Sequence, residues 1–176
     1  GMTGTIQIDA TKLGIIDEVS ASALVYFKSL DTTKNQIFYL QGQHTNVPSC
    51  QWRMLYLSTY PVGNNSWHGG SANDSTTCPA WWDGSWWVTS KDSIAPNTWY
   101  HIVIASTPTT RKLYVNGSLI AYTITMNTII PYTPLRFWLG GTPEGYQWMD
   151  GVISQVKLYN RALSDSEVAD LYQQMK

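Results

Sequence analysis

Hydrophobic and polar positions alternate with a period of two along most of this chain, in short runs. Residues 5–9, Thr-Ile-Gln-Ile-Asp, predict a first strand. After a connection of mixed signals at residues 13–19, residues 20–27 predict a stronger one, with Ala21, Ala23, Val25 and Phe27 on one face. Residues 36–41 carry Ile37, Phe38, Tyr39 and Leu40. In residues 52–57 the alternation sets Trp52, Met54 and Tyr56 on one face and Arg53, Leu55 and Leu57 on the other. The pattern stops over residues 58–83 and resumes at 84–90, where the adjacent Trp86 and Trp87 are expected on opposite faces. The long run at residues 98–106 precedes a turn at 107–110. The hairpin at 111–122 follows, and the chain is organised around it. Its Asn116-Gly117 supplies two residues that tolerate positive φ, as a type I′ turn demands, between β-branched and aromatic flanks. Residues 135–139, ending at Gly140-Gly141, and 152–159, opened by Asp150-Gly151, complete the strands.

The period changes near the C-terminus. Ser164-Asp165-Ser166-Glu167 is a capping box: Ser164 can accept from the Glu167 N–H while the Glu167 side chain reaches back. Leu163 and Val168 fit the accompanying staple, and a helix is predicted over 165–175 with Val168, Leu171, Tyr172 and Met175 as its apolar stripe. Its expected role is structural, closing one end or one edge of the fold. About ten short strands and one late helix define an all-β class, an antiparallel two-sheet sandwich.

A length of 176 residues suits a single domain spanning 1–176. Hydrophobic residues at 43% exclude a disordered tail, while charged residues, at 13%, are about half the usual share. With a net charge of -1 there is no electrostatic case for nucleic acid or an anionic membrane. No apolar run reaches the roughly 18 residues of a membrane span, so no membrane insertion is expected. Nine Trp and eleven Tyr exceed what a core needs, and polar-tipped aromatics in excess serve recognition. Gly1 before Met2 reads as a cloning scar, so the chain is expected to be a piece excised from a longer protein. Cys50 and Cys78 lie in polar, loop-like surroundings where buried free thiols are uncommon. A disulfide between them is the preferred reading; two separate thiols is the other.

The second half forms a recognisable series: Asn97-Thr98-Trp99-Tyr100-His101, Lys112-Leu113-Tyr114-Val115-Asn116-Gly117, Leu139-Gly140-Gly141, Asp150-Gly151-Val152-Ile153, and Leu158-Tyr159-Asn160-Arg161-Ala162-Leu163-Ser164, closed by Glu167 and Leu171-Tyr172. In order and spacing it strongly resembles the laminin-G-like jelly rolls of the concanavalin A-like lectin/glucanase superfamily. The resemblance implies a jelly-roll sandwich of two curved sheets, with a concave sheet and rim loops available for ligands. Trp99 and Ile102 to Ile104 are expected to fill it, and the last strand to bury Val152, Ile153, Val156 and Leu158. Relatives often carry an acidic pair after this Gly, where an acid helps bind calcium; here Ser154 and Gln155 stand instead. A Ca2+ site built from Asp74, Asp83, Glu144 or Asp150 is the remaining option, with six to eight oxygens to be supplied.

Glycoside hydrolysis needs two carboxyl groups flanking one bond. The Glu residues are Glu18, Glu144 and Glu167; Glu167 is used by the cap, Glu18 precedes a strand, and Glu144 lacks a spaced acidic partner. No nucleophile motif is present, and His44, His68 and His101 read as solvated or structural. The chain is therefore not expected to be an enzyme. The sharper signal is Trp81-Trp82-Asp83-Gly84-Ser85-Trp86-Trp87, four Trp around one acid and one Gly. Sugars present flat C–H faces to aromatic rings and hydroxyls to acids and amides. The expected ligand-binding set is Trp67, His68, Asp74, Trp81, Trp82, Asp83 and Trp87, with Tyr146 and Trp148 as a weaker second region. Packing of these Trp onto the sheet as a satellite core is the competing reading. The expected function is a non-catalytic carbohydrate-binding, lectin-like module at the cell surface or outside the cell. The alternative is a protein-interaction, adhesion or structural module of a cell surface or virion appendage.

Overall fold

The computed structural model describes residues 5–14, 17–30, 36–44, 51–59, 66–73, 86–88, 93–124, 132–141 and 148–175. In chain order these form β1 (Ile6–Asp9), a 3-10 turn (Thr11–Leu13), β2 (Val19–Phe27), β3 (Gln36–His44), β4 (Gln51–Thr59), β5 (Trp67–Asn73), β6 (Trp86–Val88), β7 (Thr98–Ser106), β8 (Thr110–Val115), β9 (Ser118–Ile124), β10 (Tyr132–Leu139), β11 (Gly151–Tyr159) and α1 (Asp165–Gln173). Two antiparallel sheets result, a six-stranded one in the order β1-β10-β3-β4-β5-β6 and a five-stranded one in the order β11-β2-β7-β8-β9. The expected two-sheet sandwich with one short helix is what forms.

The inner faces follow from strand parity. Ala21, Ala23, Val25 and Phe27 on β2 are fully buried and meet Ile102 and Ile104 of β7 and Leu113 of β8 in one core. From the other sheet come Ile37, Phe38, Leu40, Leu55, Leu57, Phe137 and Leu139, with Phe38 and Phe137 stacked at 5.7 Å. With Tyr100, Ile102 and Ile104 inward, Trp99 must face outward. It is 50% exposed beside Tyr26 and does not fill the sandwich as expected. The last strand needs a similar correction. Ile153, Val156 and Leu158 all pack against the core although 153 and 156 differ in parity. A bulge between Ser154 and Lys157, with Gln155 at φ 50, absorbs the mismatch and leaves Val152 49% exposed. The positions where relatives carry acids are thus the bulge itself. On β4, ladder irregularities on both sides shift Arg53 into register with Gln41 and Ala72, away from the alternation of Leu55 and Leu57. β5 lies within the stretch expected to lack strand structure. Its Gly69-Gly70 has no β preference, and pairing with β4 and β6 supplies what propensity does not.

Part of the five-stranded sheet's outer face is buried too. Val103, Ala105 and Tyr114 form a second cluster with Leu163 and Val168, and Tyr159 and Leu171 pack against it. α1 therefore covers a face of the sandwich, not an end or an edge, because its staple residues need the apolar surface that Val103, Ala105 and Tyr114 present. The capping box forms as expected: Glu167 N–H donates to Ser164 Oγ, and Ser164 N–H donates to Glu167 Oε2 at 2.9 Å. Arg161 grips the same carboxylate through two hydrogen bonds and, together with the Ser164 N–H, holds it down to about 2. Tyr114 Oη donates to Asp165 Oδ1 at 2.6 Å, and Lys112 Nζ reaches the same oxygen at 2.8 Å. Burial, then the Asp165 contact, pushes the phenol up.

The β8–β9 turn has the expected geometry, Asn116 at φ 51 and Gly117 at φ 79. Asn116 also ties the turn to β7, its N–H donating to His101 O at 2.8 Å and its Oδ1 accepting from His101 N–H at 3.0 Å. A Cβ on Gly117 would lie 3.0 Å from the Tyr172 ring of α1. Gly117→Ala should therefore destabilise the fold by about 1–2 kcal/mol from the backbone alone, with the α1 contact adding to it, read as a lowered urea midpoint.

His101 is buried between the sheet and α1, its ring parallel to Tyr172 at 6.0 Å and its Nε2 3.0 Å from Ser22 Oγ. Nδ1 has no partner among the described residues, which favours the tautomer in which Nε2–H donates to Ser22 and Nδ1 keeps only a lone pair. Burial, reinforced by the charge of Lys157, holds the imidazole below its ordinary value. The sign follows: a depressed folded value gives stability that is complete above the unfolded value, about 6.5, and falls as the pH drops below it. His101→Phe should lower stability by a pH-independent offset, from the lost Ser22 bond, and flatten the slope between pH 7 and 5 in urea titrations.

Candidate functional site

The outer face of the six-stranded sheet is the one that α1 leaves open. Its backbone register aligns Gln7, Trp138, Tyr39, Tyr56, Gly70 and Trp86 in one cross-sheet row. The neighbouring row runs Asp9, Arg136, Gln41, Arg53 and Ala72. Tyr39 and Tyr56 oppose the inward Phe38, Leu40, Leu55 and Leu57, yet they are only 2% and 5% exposed, so the middle of this face is enclosed. The β1 end is open, and there a recess of about 450 Å³ is lined by Gln7, Asp9, Thr11, Gln41, Leu135 and Arg136.

Three local features build the recess. Gln7 and Asp9 occupy one parity of β1 and so share a face. Asp9 Oδ1 accepts from the Thr11 N–H at 2.9 Å and from Thr11 Oγ1 at 2.6 Å, which turns the chain out of β1 into the 3-10 turn. These bonds, with the charge of Lys12, hold the Asp9 carboxyl below its usual range, so it is ionised at neutral pH. On β10 the ladder slips between Pro134 and Arg136, and Leu135 is the residue left without a register partner. Leu135 lines the recess at that bulge, and its carbonyl accepts from Ala10 N–H at 3.1 Å. Arg136 is exposed and makes no hydrogen bond or ion pair among the described residues. The recess can therefore offer a guanidinium, amides, a carboxylate and a hydroxyl to a polar ligand, beside one apolar side chain.

Of the residues expected to bind ligand, Trp67, His68 and Trp87 are described, on the paired strands β5 and β6. Trp67 is fully buried, edge-on to Phe27 at 5.9 Å and to Tyr100 at 5.5 Å. It belongs to the core and leaves the ligand-contact set, because its ring packs among the buried residues between the sheets. His68 sits on β5 in register with Ser58 and Val88, and Trp87 on β6 in register with Gly69. Asp74, Trp81, Trp82 and Asp83 lie outside the described residues, as do Cys50, Cys78, Glu144 and Tyr146. Trp148 is 47% exposed. Of the calcium candidates only Asp150 is described, and its Oδ2 accepts from Ser29 Oγ at 2.7 Å. Among the described residues no three His, Cys, Asp or Glu side chains gather as a metal site.

Sequence reasoning missed all six recess residues. The alternation of Gln7 and Asp9 with Ile6 and Ile8 was visible, as was an Asp-x-Thr turn. The partner strand, β10, was not, since nothing local in the chain announces that residue 9 will face residue 136. β1 and β5 are four strand spacings apart, roughly 19 Å. One sugar ring does not span that distance; an extended oligosaccharide does.

Sequence comparison places this two-sheet sandwich in a known family. The chain belongs to the Laminin_G_3 family of the concanavalin A-like lectin/glucanases superfamily, matched over residues 1–169. No curated protein matches it. Among solved structures it is similar to the heptameric SAP-like pentraxin of Limulus polyphemus, at 15% identity and a TM-score of 0.63, covering 90% of this chain and 70% of that one. The binding domain of botulinum neurotoxin serotype G gives 14% identity and a TM-score of 0.67, over 97% of this chain and 40% of that one. Trypanosoma rangeli sialidase in complex with sialic acid gives 20% and 0.60, over 90% and 23%. At such identities the likeness is one of fold. The chain spans less than half of the toxin and sialidase chains. No helix among the described residues is long and apolar enough to cross a membrane.

Trp67→Ala should cost about 3–5 kcal/mol of stability, as expected of a large buried aromatic in a close-packed core. Urea or thermal unfolding reads it; a surface platform residue would leave both nearly unchanged.

Proposed function

We propose that this domain is a non-catalytic carbohydrate-binding module of a secreted or cell-surface protein, one domain of a longer chain. The observation that carries the reading is the open recess at the β1 end of the six-stranded sheet, lined by Gln7, Asp9, Thr11, Gln41, Leu135 and Arg136. A dense set of donors and acceptors beside one apolar side chain suits a hydroxyl-rich ligand. The recess holds a single carboxylate, Asp9, whereas glycoside cleavage takes two flanking one bond. Glu18 and Glu167 are engaged structurally, the first by Ala162 N–H and the second by the cap and Arg161. The Trp-rich stretch with Trp81, Trp82 and Asp83, which precedes β6 in the chain, is a proposed second contact region for a longer glycan, and a Cys50–Cys78 disulfide is proposed to brace it.

One observation favours a second reading, a protein-interaction or adhesion module. Along the edge strand β9, Leu119, Ile120, Tyr122 and Ile124 are 43%, 42%, 63% and 64% exposed, an apolar surface of the kind protein partners cover.

A glycan-array screen of the purified domain, with and without calcium, separates the two. The expected result is binding to a defined glycan set, weakened at least tenfold by Gln7→Ala/Asp9→Asn or by Trp81→Ala/Trp82→Ala. A folded protein that binds no glycan would overturn the carbohydrate reading in favour of the β9 surface.

A further inference from the structure

We infer that the recess is a subsite for a carboxylate-bearing sugar, with Arg136 as the fork for the carboxylate and Asp9 as the acceptor for a neighbouring hydroxyl. This rests on the carbohydrate reading and goes beyond it by naming the ligand class.

Two opposite charges lie opposite each other across a ladder and do not pair. Asp9 and Arg136 are direct cross-strand partners in the β1–β10 ladder, on one face. Such neighbours have Cβ atoms roughly 5 Å apart, within easy reach of an ion pair. No ion pair joins them. Asp9 is turned toward Thr11, which occupies Oδ1 twice. Arg136 has no partner among the described residues, and neither does Gln7. Both Asp9 and Arg136 line the same recess.

A ligand that fits must bring an acceptor of matching geometry to the guanidinium. A planar carboxylate does so through two parallel N–H···O bonds, whereas a neutral hydroxyl can take only one. The same ligand must bring a donor to the remaining Asp9 oxygen, and a ring hydroxyl does that. Arg136 lines the recess as its one cation, and Asp9, already held by Thr11, is its one anion. Gln7 and Gln41 supply further amide groups, and Leu135 offers an apolar contact for C–H. Neutral sugars satisfy only part of this set.

The test uses paired probes: oligogalacturonate and sialyllactose, each beside its carboxyl methyl ester, with neutral lactose and a sulfated heparin fragment as controls. Binding is measured by calorimetry on the wild-type domain and three exposed-site variants, all checked for unchanged thermal unfolding. The wild type should prefer at least one acid to its ester by on the order of tenfold to a hundredfold. Arg136→Gln should abolish that preference, and Arg136→Lys should keep part of it. Asp9→Asn should weaken acid and ester alike, since it removes a hydroxyl acceptor and not the carboxylate fork. Binding of lactose alone, equal binding of acids and esters, or a preference for acid that survives Arg136→Gln would overturn the inference while leaving the carbohydrate reading intact. Binding of the sulfated fragment alone would overturn it as well. Absence of binding to every probe here and on the glycan array would overturn both.

Discussion

The rest of the structure depends on burial on both sides of the centre of the five-stranded sheet. β2 shows it most directly: Ala21, Ala23, Val25 and Phe27 meet the other sheet, while Ser20 and Ser22, of opposite parity, are also fully buried. A polar group in that position must be satisfied, and each is. Ser20 Oγ accepts from Leu163 N–H at 2.9 Å, and Ser22 meets His101. The outer layer is thus a fitted surface made of Val103, Ala105, Tyr114 and polar anchors, and α1 is the piece that closes it. The recess lies on the other sheet, at its β1 end.

What could be read along the chain was whatever is local. The Asn116-Gly117 turn, the Ser164–Glu167 capping box and the alternation of β2 each specify their geometry within a few residues, and each is present. Where reading failed, the cause was non-local. Gly69-Gly70 becomes strand because β4 and β6 flank it. Trp99 and Val152 face outward because parity is set by residues elsewhere on their strands, and a bulge can reset it midway, as at Gln155. Composition pointed to aromatic recognition, yet Trp67 shows the limit of that signal. A Trp beside His and Gly in a polar stretch looks like a platform and is in fact a wedge between Phe27 and Tyr100.

The recess illustrates the same point for function. Its residues come from opposite ends of the chain, Gln7, Asp9 and Thr11 from the start and Leu135 and Arg136 from β10. None belongs to a motif. Their chemistry exists only because β1 pairs with β10, and because two irregularities, the Asp9–Thr11 turn and the Leu135 bulge, aim side chains that regular strands would not have brought together. Irregularity at a sheet edge is a common way for a rigid scaffold to acquire a specific site.

That origin has an energetic consequence. β1 is an edge strand of four residues, all exposed, and it is held by one ladder, the Ala10–Leu135 bond and the Asp9–Thr11 turn. Short exposed edges are the first elements to open in native-state fluctuations. A ligand that bridges Asp9 on β1 and Arg136 on β10 can bind only the closed form, so its apparent affinity is scaled by the closed fraction, and binding in turn holds β1 down. In the proposed site, the strand that makes the site is therefore the strand the ligand would stabilise. Substitutions that firm up the β1–β10 ladder without touching the recess would strengthen binding by raising the population of the competent state, and they do so without any new contact to the bound molecule.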